Sequence, residues 1–353
     1  RRVGGREVTP VLNALAREGT LVRDAYSHVG FTSESLKSLF SGTLSPRPGG
    51  PSLFRDMKAN GYQVGVYSAQ AESWGEIAEL LGSRRYADRF VDAEVLKAER
   101  VFSFAAKGSL KVDGRSLLRE FGKAYAGTSA WSRPNFVYFN FQEAHFPYHH
   151  RGMPQFLPGR PIPRGEIGPG NREWVANTYW NSVAFDDWLV GRVVERLKAF
   201  GVWDETLLVV TADHGESLFD DDFLGHGHVI NRQQTNVPLI LSDPGVAVPS
   251  PVGLIDYRPM ILRLLGAPVP RRAAPRVFQY IGELDTPHSI GMIEAGDRWT
   301  IMTVDSEIVS FSDTGRHARY SDLPPGPDRA RADRLIDEWA RQRWLAHLAG
   351  KAS

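Results

Sequence analysis

Apolar positions along this chain alternate between two periods. Residues 207–211 (LLVVT) and 237–241 (VPLIL) are unbroken apolar runs of strand length, as expected of strands buried on both faces of a mostly parallel sheet. Residues 20–26, 62–67 and 135–141 (NFVYFNF) read as further strands. Between them the spacing becomes helical. Thr9-Pro10 before Val11, Leu12, Leu15 and Ala16 predicts a first helix, with Thr9 as N-cap, Pro10 in the first turn and Gly19 as terminator. Residues 32–40 and 53–59 form two more, the latter closed by Asn60-Gly61. The longest helix is expected over 173–200, with Val175, Tyr179, Val183, Val190, Val194 and Leu197 on its apolar face. Residues 254–265 read as a strand end plus a helix, closed by Gly266.

After Pro268 the pattern changes. Short strand candidates at 277–281, 289–294, 299–304 and 307–311 are separated by turn residues, which predicts an antiparallel meander. A Pro-rich link at 323–327 leads to a final helix over 329–349. Residues 44–51 and 152–171 read as loops, and no internal repeat is present. The expected architecture is α/β. A mostly parallel central sheet sandwiched by helices spans 1–268, and a smaller antiparallel sheet with a terminal helix packs on the same core over 269–353.

Composition narrows the chemistry. The 353 residues carry 42 basic and 41 acidic side chains, so net charge gives no reason to expect a nucleic acid partner. The absence of cysteine excludes disulfides, thiolate metal sites and a cysteine nucleophile. No apolar run reaches the roughly 18 residues of a membrane span.

Four segments carry candidate chemistry. Asp213-His214-Gly215-Glu216 follows the 207–211 run, and ligands of open α/β sheets bind beyond the carboxyl ends of strands. An adjacent carboxylate and imidazole can ligate one divalent cation, with Gly215 easing a sharp turn. Gly225-His226-Gly227-His228 lies a short acidic loop further on, its imidazoles flanked by glycine. His145, in Glu143-Ala144-His145-Phe146-Pro147-Tyr148, follows the 135–141 strand. Thr32, in His28-Val29-Gly30-Phe31-Thr32-Ser33-Glu34-Ser35, opens a helix, where free N–H groups favour an anion. Each segment also has a bland reading: a strand-end cap, a solvent-facing loop, a packing histidine, an ordinary N-cap.

Taken together and in order, these segments resemble the alkaline-phosphatase superfamily, in its sulfatase-like branch. The resemblance spans roughly residues 9–266 and runs through Thr9-Pro10, Ser41-Gly42, His145 with Pro147-Tyr148, Asp186-Asp187, 206–216, Gly225-His226-Gly227, Val237-Pro238-Leu239, and Asp256 with Pro259. It implies that Asp213 and His214 ligate a metal. Thr32, touching the same metal, would be the nucleophile and become a covalent phosphothreonine. His145 and His226 would bind substrate oxygens or assist the leaving group, with His228 as the alternative to His226. Lys37 or Arg47 would supply positive charge toward substrate.

The chain also departs from that pattern. Sulfatases convert Cys or Ser to formylglycine at the nucleophile position and follow it with Pro and Arg. Here the position holds Thr32, and the later positions hold Glu34 and Leu36. This favours phosphoester chemistry of the phosphoethanolamine transferase and lipoteichoic acid synthase type. Sulfatase activity, or an inactive anion-binding member, are the alternatives. The branch also has an acidic metal ligand ending a strand upstream of Thr9-Pro10. It is expected before Arg1, with Glu7 and Asp24 as weak substitutes. One divalent metal is implied: Zn first, Mn or Mg next, Ca for a sulfatase. The implied substrate is a phosphorylated or sulfated lipid, glycan or small molecule. The implied location is extracytoplasmic, anchored to a membrane through upstream sequence.

Overall fold

The computed structural model describes residues 1–102, 111–270 and 275–351. Its centre is two sheets. The first has four strands in the order Val252–Gly253, Thr20–Tyr26, Asn236–Leu241, Val209–Thr211. Asn236–Leu241 runs antiparallel to both neighbours, and the other three run in one direction. Register against Thr20–Tyr26 slips between Val237 and Leu239, where Pro238 has no N–H to give the ladder. The second sheet is wholly parallel, in the order Arg89–Val91, Gln63–Ser68, Asn135–Asn140.

The central sheet is thus formed in two hydrogen-bonded parts. Among the described residues Asn135–Asn140 and Val209–Thr211 each pair on one side only, and every residue of both is half-buried. Both still pack on one apolar cluster, through Phe136 and Tyr138 on one side and Leu207 and Val209 on the other. The run 207–211, expected to be buried on both faces, is paired only over 209–211.

Helices cover both faces. The helices Thr32–Ser41, Leu53–Ala59 and Tyr257–Leu264 close one core through Leu36, Leu39, Phe40, Leu53, Phe54, Met57 and Met260. Burying one such side chain is worth about 1.5–3 kcal/mol. The Phe40 ring lies 4.6 Å from Phe54 and 4.8 Å from Tyr138, so the helix that begins at Thr32 is locked to both sheet and neighbour. Helices Gly114–Ala124 and Arg172–Ala199 close the other face through Leu117, Phe121, Phe185, Leu189 and Val193. The long helix buries Thr178, Asn181, Ser182 and Asp187 as well as apolar positions. Its Tyr179, Val183 and Val190, expected on the buried stripe, are only half-buried.

The first helix forms at Pro10–Glu18, but Thr9 makes no capping bond. Asp187 of the long helix caps it from outside, accepting from Val11 N at 3.1 Å and Leu12 N at 2.8 Å. A free N-terminal N–H accepts any well-placed oxygen, local or distant.

The C-terminal meander has five strands in sequence order, not four: Arg276–Gly282, Pro287–Glu294, Arg298–Thr303, Ile308–Phe311 and Arg316–Arg319. The fifth (RHAR) has no apolar alternation, because it is an exposed edge. The terminal helix Pro327–Lys351 packs on this sheet through Ala332 and Leu335. A hairpin also escapes the sequence pattern: Ser217–Asp220 pairs with Phe223–Gly225, and Asp221 and Asp222 turn with positive φ where glycine would be expected.

The capping contact gives a prediction. Asp187→Ala should lower unfolding free energy by about 1–2 kcal/mol in urea titration, the usual cost of a lost N-cap. Thr9→Ala should change it by less than about 0.5 kcal/mol. Equal effects would show that Thr9, not Asp187, holds the helix end.

Candidate functional site

Thr32 is the first residue of the helix Thr32–Ser41 and is buried to 4% exposure. Phe31, at the N-cap position, offers no side-chain oxygen to the first-turn N–H groups. The positive end of the helix therefore opens beside the Thr32 hydroxyl. Asp213 and His214 leave the strand Val209–Thr211 and face it. His214 Nδ1 donates to Gly215 O at 2.8 Å. Its proton is thereby placed on Nδ1, and in the neutral ring Nε2 carries the lone pair. That Nε2 lies 3.1 Å from Thr32 Oγ1 and 3.5 Å from Asp213 Oδ2. The other Asp213 oxygen accepts from His214 N at 3.0 Å.

Close backbone approaches make this possible. A Cβ on Gly215 would stand 2.1 Å from Gln233 O, and Gly215 N bonds Gln234 O at 2.8 Å. Glycine is required there by space rather than by a turn conformation. A Cβ on Gly30 would meet Gly227 N at 2.8 Å. The segment before Thr32 thus lies directly against the loop that carries His226.

His226 packs on His214 with ring centroids 4.2 Å apart. Its Nδ1 bonds Glu216 Oε2 at 2.7 Å, and Glu216 Oε1 accepts from Tyr148 OH at 2.5 Å. Burial works against a charge on His226, but the Glu216 hydrogen bond and the charges of Glu216 and Asp213 outweigh it, so its pKa stands above the ordinary value. His145 completes the group, its centroid 6.1 Å from that of His226. Its pKa is lowered, first by burial and then by the positive charges of Lys111 and His226. Two histidines of one site are pushed in opposite directions.

The structure thus brings together Thr32, Asp213, His214, His226 and His145. It separates the others. His228 is exposed and rests on Phe223, centroids 4.6 Å apart. Lys37 is buried with its ammonium on Glu34 at 3.1 Å. Arg47 binds Ala349 O of the terminal helix. Glu7 accepts from Asn13, and Asp24 accepts from Ser250 at 2.9 Å. Neither acid contacts Asp213 or His214.

Sequence reasoning missed Glu216 and Tyr148 as site residues, and also Gln234. Buried Gln234 accepts from His228 N at 3.2 Å and donates to Ser217 at 3.0 Å, which holds the 226–229 loop. Glu216 was legible as a carboxylate two residues after His214. Gln234 gave no signal. Two overlapping donor sets could hold a cation. His214, Glu216 and His226 place ligand atoms within 4.8 Å of one another, and Asp213 with His214 Nε2 and Thr32 Oγ1 forms the second. The second fits better, because both Glu216 oxygens already have partners in Tyr148 and His226.

Over 101 residues the chain is 38% identical to the multifunctional alkaline phosphatase superfamily protein PehA of Trinickia caryophylli, covering 27% of this chain and 19% of that protein. It is 21% identical over 295 residues to the lipoteichoic acid synthase-like YvgJ of Bacillus subtilis, covering 75% of this chain and 44% of that protein. The chain spans less than half the length of these curated relatives. Among solved structures, lipoteichoic acid synthase LtaP of Listeria monocytogenes superposes with TM-score 0.68 at 15% identity, covering 98% of this chain and 88% of that one. This likeness shows the fold, an alkaline phosphatase-like α/β architecture. The Sulfatase family model matches residues 3–267, and the chain belongs to that family, within the alkaline phosphatase superfamily.

Proposed function

We propose that this chain is the catalytic part of a metal-dependent phosphoester hydrolase or phospho-group transferase that works through a phosphothreonine at Thr32. The observation that carries the reading is the convergence of Thr32 Oγ1, His214 Nε2 and Asp213 Oδ2 at a helix N-terminus. One divalent cation would be held by Asp213, His214 and Thr32. When bound it lowers the hydroxyl pKa and offsets charge on the transferring group.

The rest follows from the chain's own groups. Thr32 Oγ1 loses its proton to solvent and attacks phosphorus, as the bond to the leaving oxygen breaks. His226, whose charged form Glu216 favours, is poised to give that oxygen its proton. His145, whose neutral form burial favours, is poised to take the proton of the water or acceptor alcohol that cleaves the Thr32–phosphorus bond. The first-turn N–H groups of the Thr32 helix face the non-bridging oxygens.

One imidazole, a carboxylate and a hydroxyl suit Zn, with Mn or Mg as alternatives. Among the described residues Asn135–Asn140 and Val209–Thr211 each leave one edge unpaired, which supports room for a further strand carrying an additional carboxylate ligand. Among the described residues no helix is long and apolar enough to cross a membrane. Extracytoplasmic placement and anchoring through other sequence remain part of the proposal, as does a phosphorylated lipid or glycan substrate. Sulfuric ester hydrolysis is the second reading, favoured by the family model itself.

Two tests follow. With p-nitrophenyl phosphate, bis(p-nitrophenyl) phosphate and p-nitrophenyl sulfate, the phosphorus esters should be turned over in preference to the sulfate. Mass spectrometry should detect a phosphorylated Thr32 peptide after turnover, and Thr32→Ala should remove it and lower turnover at least about a thousandfold. Unchanged turnover in the variant, or a sulfate preference, would overturn the reading.

The second test concerns His226. Its raised pKa means that the charged ring adds stability below the ordinary imidazole pKa of about 6.5, which is lost as pH rises through the folded value. Glu216→Gln should move the His226 titration downward in metal-free protein, read by NMR. A titration that stays in place would remove Glu216 from the role given to it.

A further inference from the structure

Behind the loop that carries His145 lies a buried polar cluster that the chemistry above does not use. Glu143 and His150 lie at the two ends of this loop, and both are buried, at 0% and 3% exposure. They bond each other across it, Glu143 Oε2 to His150 Nε2 at 2.8 Å. His150 Nδ1 faces Arg151 O at 3.1 Å. Both ring nitrogens therefore meet acceptors, and a proton between Nε2 and Oε2 completes both bonds, whichever partner holds it.

The second Glu143 oxygen accepts from Gly114 N at 2.8 Å, the first residue of the helix Gly114–Ala124. A Cβ on Gly114 would stand 3.2 Å from that oxygen and 2.4 Å from Leu189, so glycine admits the contact. Neighbouring bonds tie the loop to two other elements. Lys111, also buried, donates to Glu143 O at 3.4 Å. Asp186 of the long helix accepts from Ala144 N at 3.2 Å, and its other oxygen is buried without a hydrogen-bond partner. Burial pushes the Asp186 carboxyl up and the Lys111 ammonium down. Asp113 lies 4.0 Å from His150 Nε2 and is paired with Arg115, which donates to Gly152 O at 2.8 Å just past the loop.

Between these anchors stand His145 and Tyr148, the latter reaching Glu216 and through it His226. A loop closed on itself by one buried hydrogen bond and pinned to two helices has few ways to move. We infer that Glu143 and His150 are positioning residues for the active site: their bond closes the 143–150 loop and sets where His145 and Tyr148 stand. Neither residue touches the atoms that react.

The inference rests on the proposed phosphoester chemistry for its kinetic readout, but has a second readout that does not. Glu143→Leu removes both carboxylate bonds. Glu143→Gln keeps them, since the amide oxygen can take Gly114 N–H and the amide N–H₂ can donate to His150 Nε2. Glu143→Leu should lower kcat for bis(p-nitrophenyl) phosphate about 10- to 100-fold, with KM and zinc affinity by calorimetry changed less than about threefold. Glu143→Gln should restore most of the kcat. If Glu143→Leu does not fold, His150→Phe breaks the loop closure alone and should give the same split.

Independently, the NMR resonance of the His145 ring should move in Glu143→Leu or His150→Phe while that of buried His28 stays in place. This arm reads loop position even if the protein turns over no phosphoester, an outcome that would count against the proposed function alone. Unchanged kcat together with an unmoved His145 resonance would overturn the inference. So would equal losses of kcat and zinc affinity with both histidine resonances displaced, which is general destabilisation.

Discussion

With its Nδ1 proton committed to the Gly215 carbonyl, the neutral His214 ring turns the lone pair of Nε2 toward Thr32 Oγ1. Much of the surrounding structure serves this meeting. It requires a strand end and a helix start from distant parts of the chain to arrive within one hydrogen-bond length. That in turn requires backbone to pass where no Cβ fits, at Gly215 against Gln233 and at Gly30 against Gly227. The two apolar cores hold the supporting elements rigid, with Phe40 packed on both Phe54 and Tyr138 beneath the Thr32 helix.

Around this contact the electrostatics are divided rather than uniform. Glu216 raises the pKa of His226, while burial and the Lys111 charge lower that of His145. Two identical side chains thus acquire different protonation preferences from their surroundings alone. Tyr148 links the two sides, since it lies on the His145 loop and its hydroxyl holds Glu216. The Glu143–His150 bond closes that loop from behind.

The legible parts of the sequence were those with local causes. Apolar runs marked the strands around Thr20–Tyr26 and Asn236–Leu241, and the Asp213-His214 step at a strand end marked the centre of the site. Less legible were features decided by distant partners. Thr9 looks like a helix cap, yet Asp187 does the capping, because an N–H at a helix end takes whichever oxygen the tertiary fold supplies. Residues 207–211 look doubly buried, yet the sheet divides beside them. The sequence offers His226 first and His228 as its alternative, and the close approach of Gly30 and Gly227 lays His226 against His214. Arg316–Arg319 carries no apolar period, since an exposed edge needs none, and the two arms of the hairpin at Asp221 are too short to show one although Phe219 is buried.

The most direct test of the central claim is where a cation binds. Crystals soaked in zinc or manganese and measured at the absorption edge of the metal should show one anomalous peak within coordination distance of Asp213 Oδ2, His214 Nε2 and Thr32 Oγ1, about 2.0–2.3 Å. A peak held instead by Glu216 and His226, with Thr32 out of reach, would contradict the account.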